Sequence, residues 1–227
     1  MVFTNKIRPQ AISLDIDGNT ILETRETKFL GVILDNQLSW HAHVKHISNK
    51  ISKSAAILRI LRDIFPLNIL KTLYLTLVFP YLNYCNLVWG SAYTNTLYPL
   101  VILQKKCIRL ICKVEYRKST DPLFKSTKLL KLSQIWEVNC AKFVYNCFNL
   151  TAYSNFKDTM IFNSQIHQYN TRISNDVRPP SERLELCRRS FVVTGINIWN
   201  DLPNEIKHAN SMHYFKSKIK KRILDRP

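Results

Sequence analysis

The most constraining feature of the sequence is a run of apolar residues at steps of three and four between Trp40 and Phe65. Such steps stack side chains along one face of an α-helix. The members of this face are Trp40, Val44, Ile47, Ile51, Ala55, Leu58, Leu61 and Phe65. Ser39 is the predicted N-cap, and Pro66 ends the helix and suits the first turn of the next one. The sequence therefore predicts a long amphipathic helix that must bury this face.

The residues before this helix predict β-strands. The predicted strands are Met1 to Thr4, Ala11 to Ile16, Ile21 to Glu23 and Phe29 to Asp35. Asp17-Gly18-Asn19 supplies the residues of a tight turn between the second and third strands. Asp15 and Asp17 face the same way on a strand, as two metal ligands would. Their place at a hairpin tip favours ordinary turn chemistry instead.

Three further helices are predicted in the middle of the chain. The segment from Leu67 to Phe79 is apolar nearly all round, which predicts a helix buried on several sides, and Pro80 should break or kink it. A helix from Leu97 to Cys112 carries an apolar stripe with a cationic opposite side. The stripe comprises Leu97, Leu100, Val101, Gln104, Ile108 and Ile111. Another helix is predicted from Ser133 to Asn149. It contains few charges, so most of its surface should be buried against other parts of the protein.

The C-terminal part of the chain is less regular. Thr151 to Arg189 shows neither helical nor strand periodicity and predicts a long irregular connection. It is followed by the apolar segment Phe191 to Trp199, a break at Leu202-Pro203, and a basic amphipathic helix from Ser211 to Leu224. The predicted fold class is α+β and mostly α-helical, with a short N-terminal β-hairpin or strand region, a helical domain and a partly irregular C-terminal extension.

The charge balance limits the choice of partners. The formal net charge is +17 and the pI is about 9.8, which is typical of proteins that meet phosphate backbones or an anionic membrane surface. No charged residue occurs between Lys71 and Lys105, but Pro80, Asn83 and Asn86 interrupt that stretch, so no membrane span is predicted. The N-terminus lacks a signal-peptide pattern, and the six scattered cysteines fit a reducing compartment. We therefore expect an intracellular protein of the nucleus or cytoplasm.

The basic residues are the best site candidates. Asp63 is the only acid between Asn36 and Val114. A merely solvated helix face normally mixes charges of both signs, so this imbalance favours contact with phosphates. The predicted nucleic-acid-binding residues are Lys45, Lys50, Lys53, Arg59, Lys105, Lys106, Arg109 and Lys113. We expect the two cationic helix faces to form one groove for a duplex backbone.

Catalytic and metal sites find little support in the sequence. His41, His43 and His46 resemble a metal cluster, but only the last two share a helix face, so surface histidines are the better interpretation. No cysteine spacing fits a structural zinc site, and no G-x-S-x-G motif is present. Four glycines leave no phosphate-cradling loop. No catalytic residue, metal site or cofactor is predicted.

Short motifs spread over nearly the whole chain resemble those of one protein family. They are Lys28 to Asp35, Leu38-Ser39-Trp40, His43, Ile47, Leu73-Tyr74, Pro80-Tyr81, Tyr84-Cys85, Trp89-Gly90, Gln104-Lys105-Lys106 with Arg109, His167, Tyr169 to Arg172, Gly195, Trp199-Asn200, Leu202-Pro203 and Phe215-Lys216. In this order they resemble the end of the palm, the thumb and the C-terminal extension of reverse transcriptases of jockey-like non-LTR retrotransposons.

The resemblance implies a domain organisation and a partner. Residues 1–38 would be the last palm strands, 39–150 a helical thumb-like domain, 151–190 an irregular linker, and 191–227 a C-terminal extension with the basic helix. The thumb of the family tracks the template–primer duplex, so an RNA–DNA or DNA duplex is the expected partner. A helical protein–protein interaction module derived from the thumb is the alternative.

The resemblance also implies a departure. The family holds two Mg²⁺ ions with an adjacent pair of Asp residues and a third Asp, but this sequence contains no Asp-Asp pair. Met1-Val2-Phe3 resembles a strand that follows the pair in the family. We therefore expect a truncated RNA-directed DNA polymerase that is inactive alone and keeps a sequence-independent affinity for nucleic acid.

Overall fold

The computed structural model describes residues 1–3, 13–149, 156, 160–166 and 173–226. These residues are mostly helical, with short antiparallel strands near the N-terminus, so the predicted α+β class is confirmed. The strands are β1 Ser13–Ile16, β2 Asn19–Leu22, β3 Glu26–Phe29 and β4 Val32–Asp35. The helices are α1 His41–Leu61, α2 Leu67–Leu77, α3 Phe79–Asn83, α4 Asn86–Trp89, α5 Thr94–Ile111, α6 Asp121–Thr127, α7 Leu132–Asn149, α8 Asn163–Ile166, α9 Glu185–Arg188, α10 Phe191–Asn200, α11 Asn204–Lys207 and α12 Met212–Leu224.

The chain folds into two compact units. Unit 1 contains residues 1–85 and 92–118, and unit 2 contains residues 86–91 and 119–227. No helix in the described ranges is long and apolar enough to cross a bilayer.

The strands of unit 1 form two separate hairpins. β1 pairs with β2 across Asp17 and Gly18, whose positive φ angles of 52° and 76° suit the predicted tight turn. The predicted single strand from Phe29 to Asp35 is wrong, because Leu30 and Gly31 also have positive φ angles, 45° and 83°, and turn the chain between β3 and β4. Met1 to Phe3 form no strand, and the predicted strand residues 4, 11 and 12 lie outside the described part.

A buried carboxylate holds the junction between β4 and α1. The Asp35 carboxylate accepts hydrogen bonds from the backbone N–H groups of Gln37 at 3.1 Å, Ser39 at 2.9 Å and Trp40 at 2.9 Å. The predicted N-cap at Ser39 is wrong, because Trp40 is the N-cap residue, with a left-handed φ of 67°. Burial alone would raise the pKa of the Asp35 carboxyl, but the backbone hydrogen bonds outweigh it and lower that pKa.

His43, in the first turn of α1, also connects β4 to α1. It is only 2% exposed, so the prediction of a surface histidine is wrong for this residue. Its Nδ1 accepts a hydrogen bond from the backbone N–H of Ile33 at 3.2 Å. Burial, with a smaller effect of the nearby His46, lowers the pKa of His43 to about 4. The imidazole is therefore neutral at pH 7 and able to accept that bond.

We predict that protonation of His43 makes the protein acid-sensitive. Because its pKa falls from 6.5 to about 4 on folding, the stabilisation is complete above pH 6.5 and is lost as the pH falls towards 4. The loss should reach roughly 3 kcal/mol at most. His43→Asn, whose carboxamide oxygen can accept the Ile33 N–H, should flatten the plot of unfolding free energy against pH in this range. The exposed His41→Asn is the control, and identical pH profiles for the two variants would contradict the prediction.

Most of the predicted apolar stripe of α1 lies in the core of unit 1, but the prediction that the stripe and the helix continue to Phe65 is wrong, because α1 ends at Leu61 and Phe65 is exposed. Trp40, Val44, Ile47, Ile51, Ala55 and Leu58 are buried, and α1 makes its main helix contact with α5. From α5 the core receives Leu100, Gln104, Cys107, Ile108, Leu110 and Ile111. α5 begins at Thr94, three residues before the predicted start, and its buried face also includes Thr96. The predicted amphipathic character of both helices is confirmed.

α2 differs from the prediction of a helix buried on several sides. Within Leu67–Leu77 only Leu70 and Tyr74 are buried, whereas Leu67, Ile69 and Leu75 are exposed. The Tyr74 hydroxyl is fully enclosed and accepts a hydrogen bond from Gln104 Nε2 at 3.0 Å. Near Pro80 the helix breaks as predicted, since α2 ends at Leu77 and α3 begins at Phe79.

Unit 2 is built around α7, which α10 and α12 cover. The Tyr145 ring stacks on Phe215 with centroids 4.4 Å apart, and the Tyr145 hydroxyl donates to the Ala209 carbonyl at 2.7 Å. Gly195 lets α10 approach α7 closely, because a Cβ there would lie 3.0 Å from Val144 Cγ2. The predicted helices of Ser133 to Asn149 and Ser211 to Leu224 are confirmed as α7 and α12.

The segment predicted to be irregular, Thr151 to Arg189, contains local structure in its described part. It includes α8, α9 and a bridge between Phe162 and Val177. The Asn200 carboxamide accepts from the Val177 N–H at 3.0 Å and donates to the Val177 carbonyl at 2.8 Å. Met160 and Val177 are buried in the core of unit 2, so parts of this segment contribute to that core.

Candidate nucleic-acid interface

The first cationic face lies on the outer side of α1. Lys45 and Lys53 are exposed on the side opposite the buried stripe, and Lys50 and Arg59 are exposed at its two edges. These four residues are placed in solvent as the sequence predicts, at intervals along a regular helix.

The second cationic face lies on the outer side of α5. Lys105, Lys106 and Arg109 are half-buried, and Lys113, just beyond the helix, is exposed. Half-burial of such side chains is expected where their aliphatic stems lie along the helix while the charged heads reach water.

The end of α5 folds the following loop back onto this face. Lys113 adopts a left-handed φ of 55°, and the Val114 N–H donates to the Arg109 carbonyl at 3.1 Å, which is the bond that closes a Schellman motif. Arg109 Nε then donates to the Lys118 carbonyl at 2.9 Å. The guanidinium carbon of Arg109 also lies 5.3 Å from the centre of the Tyr116 ring. Arg109 thus holds the loop at both Tyr116 and Lys118.

This loop adds charges that the sequence-based prediction missed. Arg117 and Lys118 are exposed, and Glu115 is the one acid between Lys105 and Lys118. We call the resulting surface the α5 patch, which comprises Lys105, Lys106, Arg109, Lys113, Arg117 and Lys118. The sequence signal for the last two was their closeness to the basic helix, but helical periodicity does not extend to them.

The two cationic faces lie on different sides of the contact between α1 and α5. Each helix packs on the other through its buried face, so residues on its outer face, such as Lys53 or Lys105, point away from that contact. This packing argues against the hypothesis that both faces line one groove. The α5 patch holds its cations closer together along the chain than the α1 face does.

The cations of both faces are available for anionic partners. Among the residues that the structure describes, none of them forms an ion pair with a carboxylate, whereas Arg62, for example, pairs with Asp63 at 3.3 Å. Exposed cations without counter-charges repel one another, and a phosphate backbone relieves that repulsion. The α5 patch is thus a concentration of positive charge without carboxylate partners among the described residues.

The acidic and histidine candidates serve structural roles. Asp15 Oδ1 accepts from the Gly18 N–H at 3.1 Å, as a turn residue does. A His41 ring nitrogen lies 3.0 Å from Ser39 Oγ. Across the described ranges no three His, Cys, Asp or Glu side chains are grouped as metal ligands would be. All six cysteines are free thiols, and burial raises the pKa of Cys107 to about 12.

Comparison with known proteins gives one informative relative. The chain is 29% identical over 136 residues, 58% of its length, to the RNA-directed DNA polymerase from mobile element jockey of Drosophila funebris. The matched segment makes up 15% of the length of that polymerase. No family model and no solved structure matches the chain.

Proposed function

We propose that this chain, a relative of the reverse transcriptases of jockey-like non-LTR retrotransposons, binds nucleic acid through the phosphate backbone and without regard to sequence. The α5 patch is the observation that carries the proposal. Residues 105–118 contain six cations and a single acid, Glu115. Contacts to phosphates supply affinity and position but read no sequence.

The relative's name supports the kind of ligand. An RNA-directed DNA polymerase must hold a template and a primer, so a related segment with a cationic surface is suited to a duplex backbone. The proposal covers binding and not nucleotide transfer, because the sequence contains no adjacent pair of Asp residues to hold two Mg²⁺ ions. Mg²⁺ would belong to the reaction of the family rather than to the binding proposed for this chain.

Two lysines in the same backbone setting provide a controlled test. Lys113 and Lys128 both follow a helix with left-handed φ angles, 55° and 56°, and both helices end with the same type of hydrogen bond. Lys113 lies in the α5 patch of unit 1, whereas Lys128 lies in unit 2. Replacement by Gly removes one charge at either position and relieves the same backbone strain.

We predict that Lys113→Gly and Lys128→Gly both raise the unfolding free energy by about 1 kcal/mol or less, because the left-handed conformation costs an L residue roughly 1–2 kcal/mol and the extra entropy that glycine loses on folding offsets part of that gain. Only Lys113→Gly should weaken binding to a labelled duplex, several-fold near 0.1 M salt, and reduce the salt slope by about 0.9. Fluorescence anisotropy measures the binding, and denaturant titration measures the stability. An equal loss of affinity in the two variants would show that binding follows net charge and not the α5 patch, and unchanged affinity in both would contradict a role for Lys113.

An exposed apolar surface favours protein docking as the second candidate function. Ile57, Ile60 and Ile64 are 44%, 71% and 67% exposed, and Leu67 at the start of α2 continues them. Lys53 and Arg59 lie beside this surface, which would suit an amphipathic partner segment with acidic residues. Salt separates the candidates, because phosphate binding weakens steeply with ionic strength and apolar docking does not.

A further inference from the structure

The α5 patch contains an exposed aromatic ring. Tyr116 is 73% exposed, the highest value for an aromatic residue in the described part of the chain. An exposed tyrosine on its own needs no functional explanation. Its setting does, because the ring lies within a surface of six cations and directly beside one of them.

Arg109 gives this ring a defined support. The guanidinium carbon lies 5.3 Å from the ring centre, which is cation–π distance, while Arg109 Nε is hydrogen-bonded to the Lys118 carbonyl at 2.9 Å. The guanidinium thus contacts the Tyr116 ring itself and is tied to the loop two residues beyond it, at Lys118. One face of the ring is backed by a cation, and the exposure of the residue leaves the ring accessible from solvent.

A cation-backed ring within a cationic surface suits an unpaired base. Aromatic side chains stack on the faces of bases, while neighbouring Lys and Arg residues bind the phosphates of the same strand. In a continuous duplex the base faces are already covered by adjacent base pairs, so the ring could reach only the terminal pair. The arrangement therefore favours a strand with unpaired bases over a blunt duplex.

We propose that Tyr116, supported by Arg109, stacks on an unpaired base of a nucleic-acid strand whose phosphates lie on the α5 patch. The preferred ligand is then a single strand, or a duplex with a single-stranded overhang. This inference rests on the proposed function and specifies its ligand. The α5 patch supplies affinity for any phosphate backbone, and Tyr116 supplies the preference for exposed bases.

The test compares three ligands of equal strand length: oligo(dT), the abasic strand of the same length, and a blunt duplex. The variants are Tyr116→Ala, Tyr116→Phe and Tyr214→Ala in the full chain. Tyr214 is a matched control, because it also lies beside a cation, with Lys218 Nζ 5.1 Å from its ring centre, but belongs to α12 of unit 2. Tyr214 is 48% exposed.

We expect wild-type protein to bind oligo(dT) more tightly than the abasic strand. Tyr116→Ala should weaken binding to oligo(dT) roughly 5- to 100-fold and change binding to the abasic strand and the blunt duplex little. Tyr116→Phe should keep the preference, since stacking needs the ring and not the hydroxyl, and Tyr214→Ala should keep it too. Photocrosslinking to a strand with 5-bromodeoxyuridine should label the peptide that contains Tyr116.

Two results would overturn the inference while leaving the proposed function intact. One is equal affinity of the wild type for oligo(dT) and the abasic strand, with steep salt dependence for both. The other is an equal loss for all three ligands in a folded Tyr116→Ala variant, with no crosslink at Tyr116. Failure of the wild type to bind any of the three ligands would instead overturn the proposed function.

Discussion

Replacing Gly90 with Ala should destabilise unit 2 by about 3 kcal/mol, as expected when a methyl group is forced into space that backbone and side-chain atoms already fill. A Cβ at this position would overlap with the Trp136 ring and with the Asn86 carbonyl oxygen. The Gly90 N–H is bonded to that same carbonyl at 2.7 Å, so the backbone has little freedom to move away. Denaturant unfolding followed by Trp fluorescence measures the effect.

Two other glycines calibrate this expectation. Gly195→Ala should cost less, because its nearest neighbour, Val144 Cγ2, lies 3.0 Å from the added Cβ and belongs to a side chain. In Gly18→Ala the added Cβ would have no atom within 4 Å. This change should lower the unfolding free energy by only about 1 kcal/mol, because alanine disfavours the positive φ of 76°. A Gly90→Ala variant as stable as Gly18→Ala would show that Trp136 does not pack closely against Gly90.

The second large effect concerns binding. Neutralising four cations of the α5 patch, with Lys105, Lys106, Lys113 and Arg117 changed to Gln, should weaken binding to a duplex roughly 10²- to 10³-fold near 0.1 M salt, since each neutralised phosphate releases bound counterions. Arg109 is left unchanged in this variant. Its replacement would also remove the hydrogen bond to the Lys118 carbonyl that holds the loop after α5. The changed side chains are exposed or half-buried, so unfolding free energy should change little.

A matched variant on α1 tests whether the position of the charges matters. Changing Lys45, Lys50, Lys53 and Arg59 to Gln removes the same formal charge from the outer side of α1. We expect this variant to keep most of the duplex affinity, because these cations face away from the α5 patch. An equal loss in both variants would mean that binding follows net charge alone. No loss in either would favour protein docking through the apolar surface around Ile60.

Periodicity made the helical part of the fold predictable. The stripe from Trp40 to Leu58 must be buried in any helical arrangement, and it forms the core of unit 1. The turn at Leu30-Gly31 was missed because Leu30 is apolar and continues the pattern of a buried strand, while its backbone is left-handed. Asp35 was missed as a cap because its partners come from the irregular residues before α1.

The site was predictable only in part. Lys105, Lys106 and Arg109 follow from the amphipathic pattern of α5, but Arg117 and Lys118 join them only because the loop folds back on Arg109. Several motif residues have structural partners far along the chain, such as Tyr74 with Gln104 and Asn200 with Val177. Single-sequence patterns give no sign of such pairs. The predicted motif residues 167 and 169–172 lie outside the described part of the chain.

The salt dependence of duplex binding by the wild type and the four-residue α5-patch variant tests the central claim most directly. If the α5 patch binds the phosphate backbone, a plot of log Kobs against log salt concentration should have a slope as steep as about −5 for the wild type. The slope of the variant should be flatter by up to about 3.6, since each of four phosphates that the protein no longer neutralises changes the slope by about 0.9. A wild-type slope near zero, or equal slopes for both folded proteins, would contradict the claim.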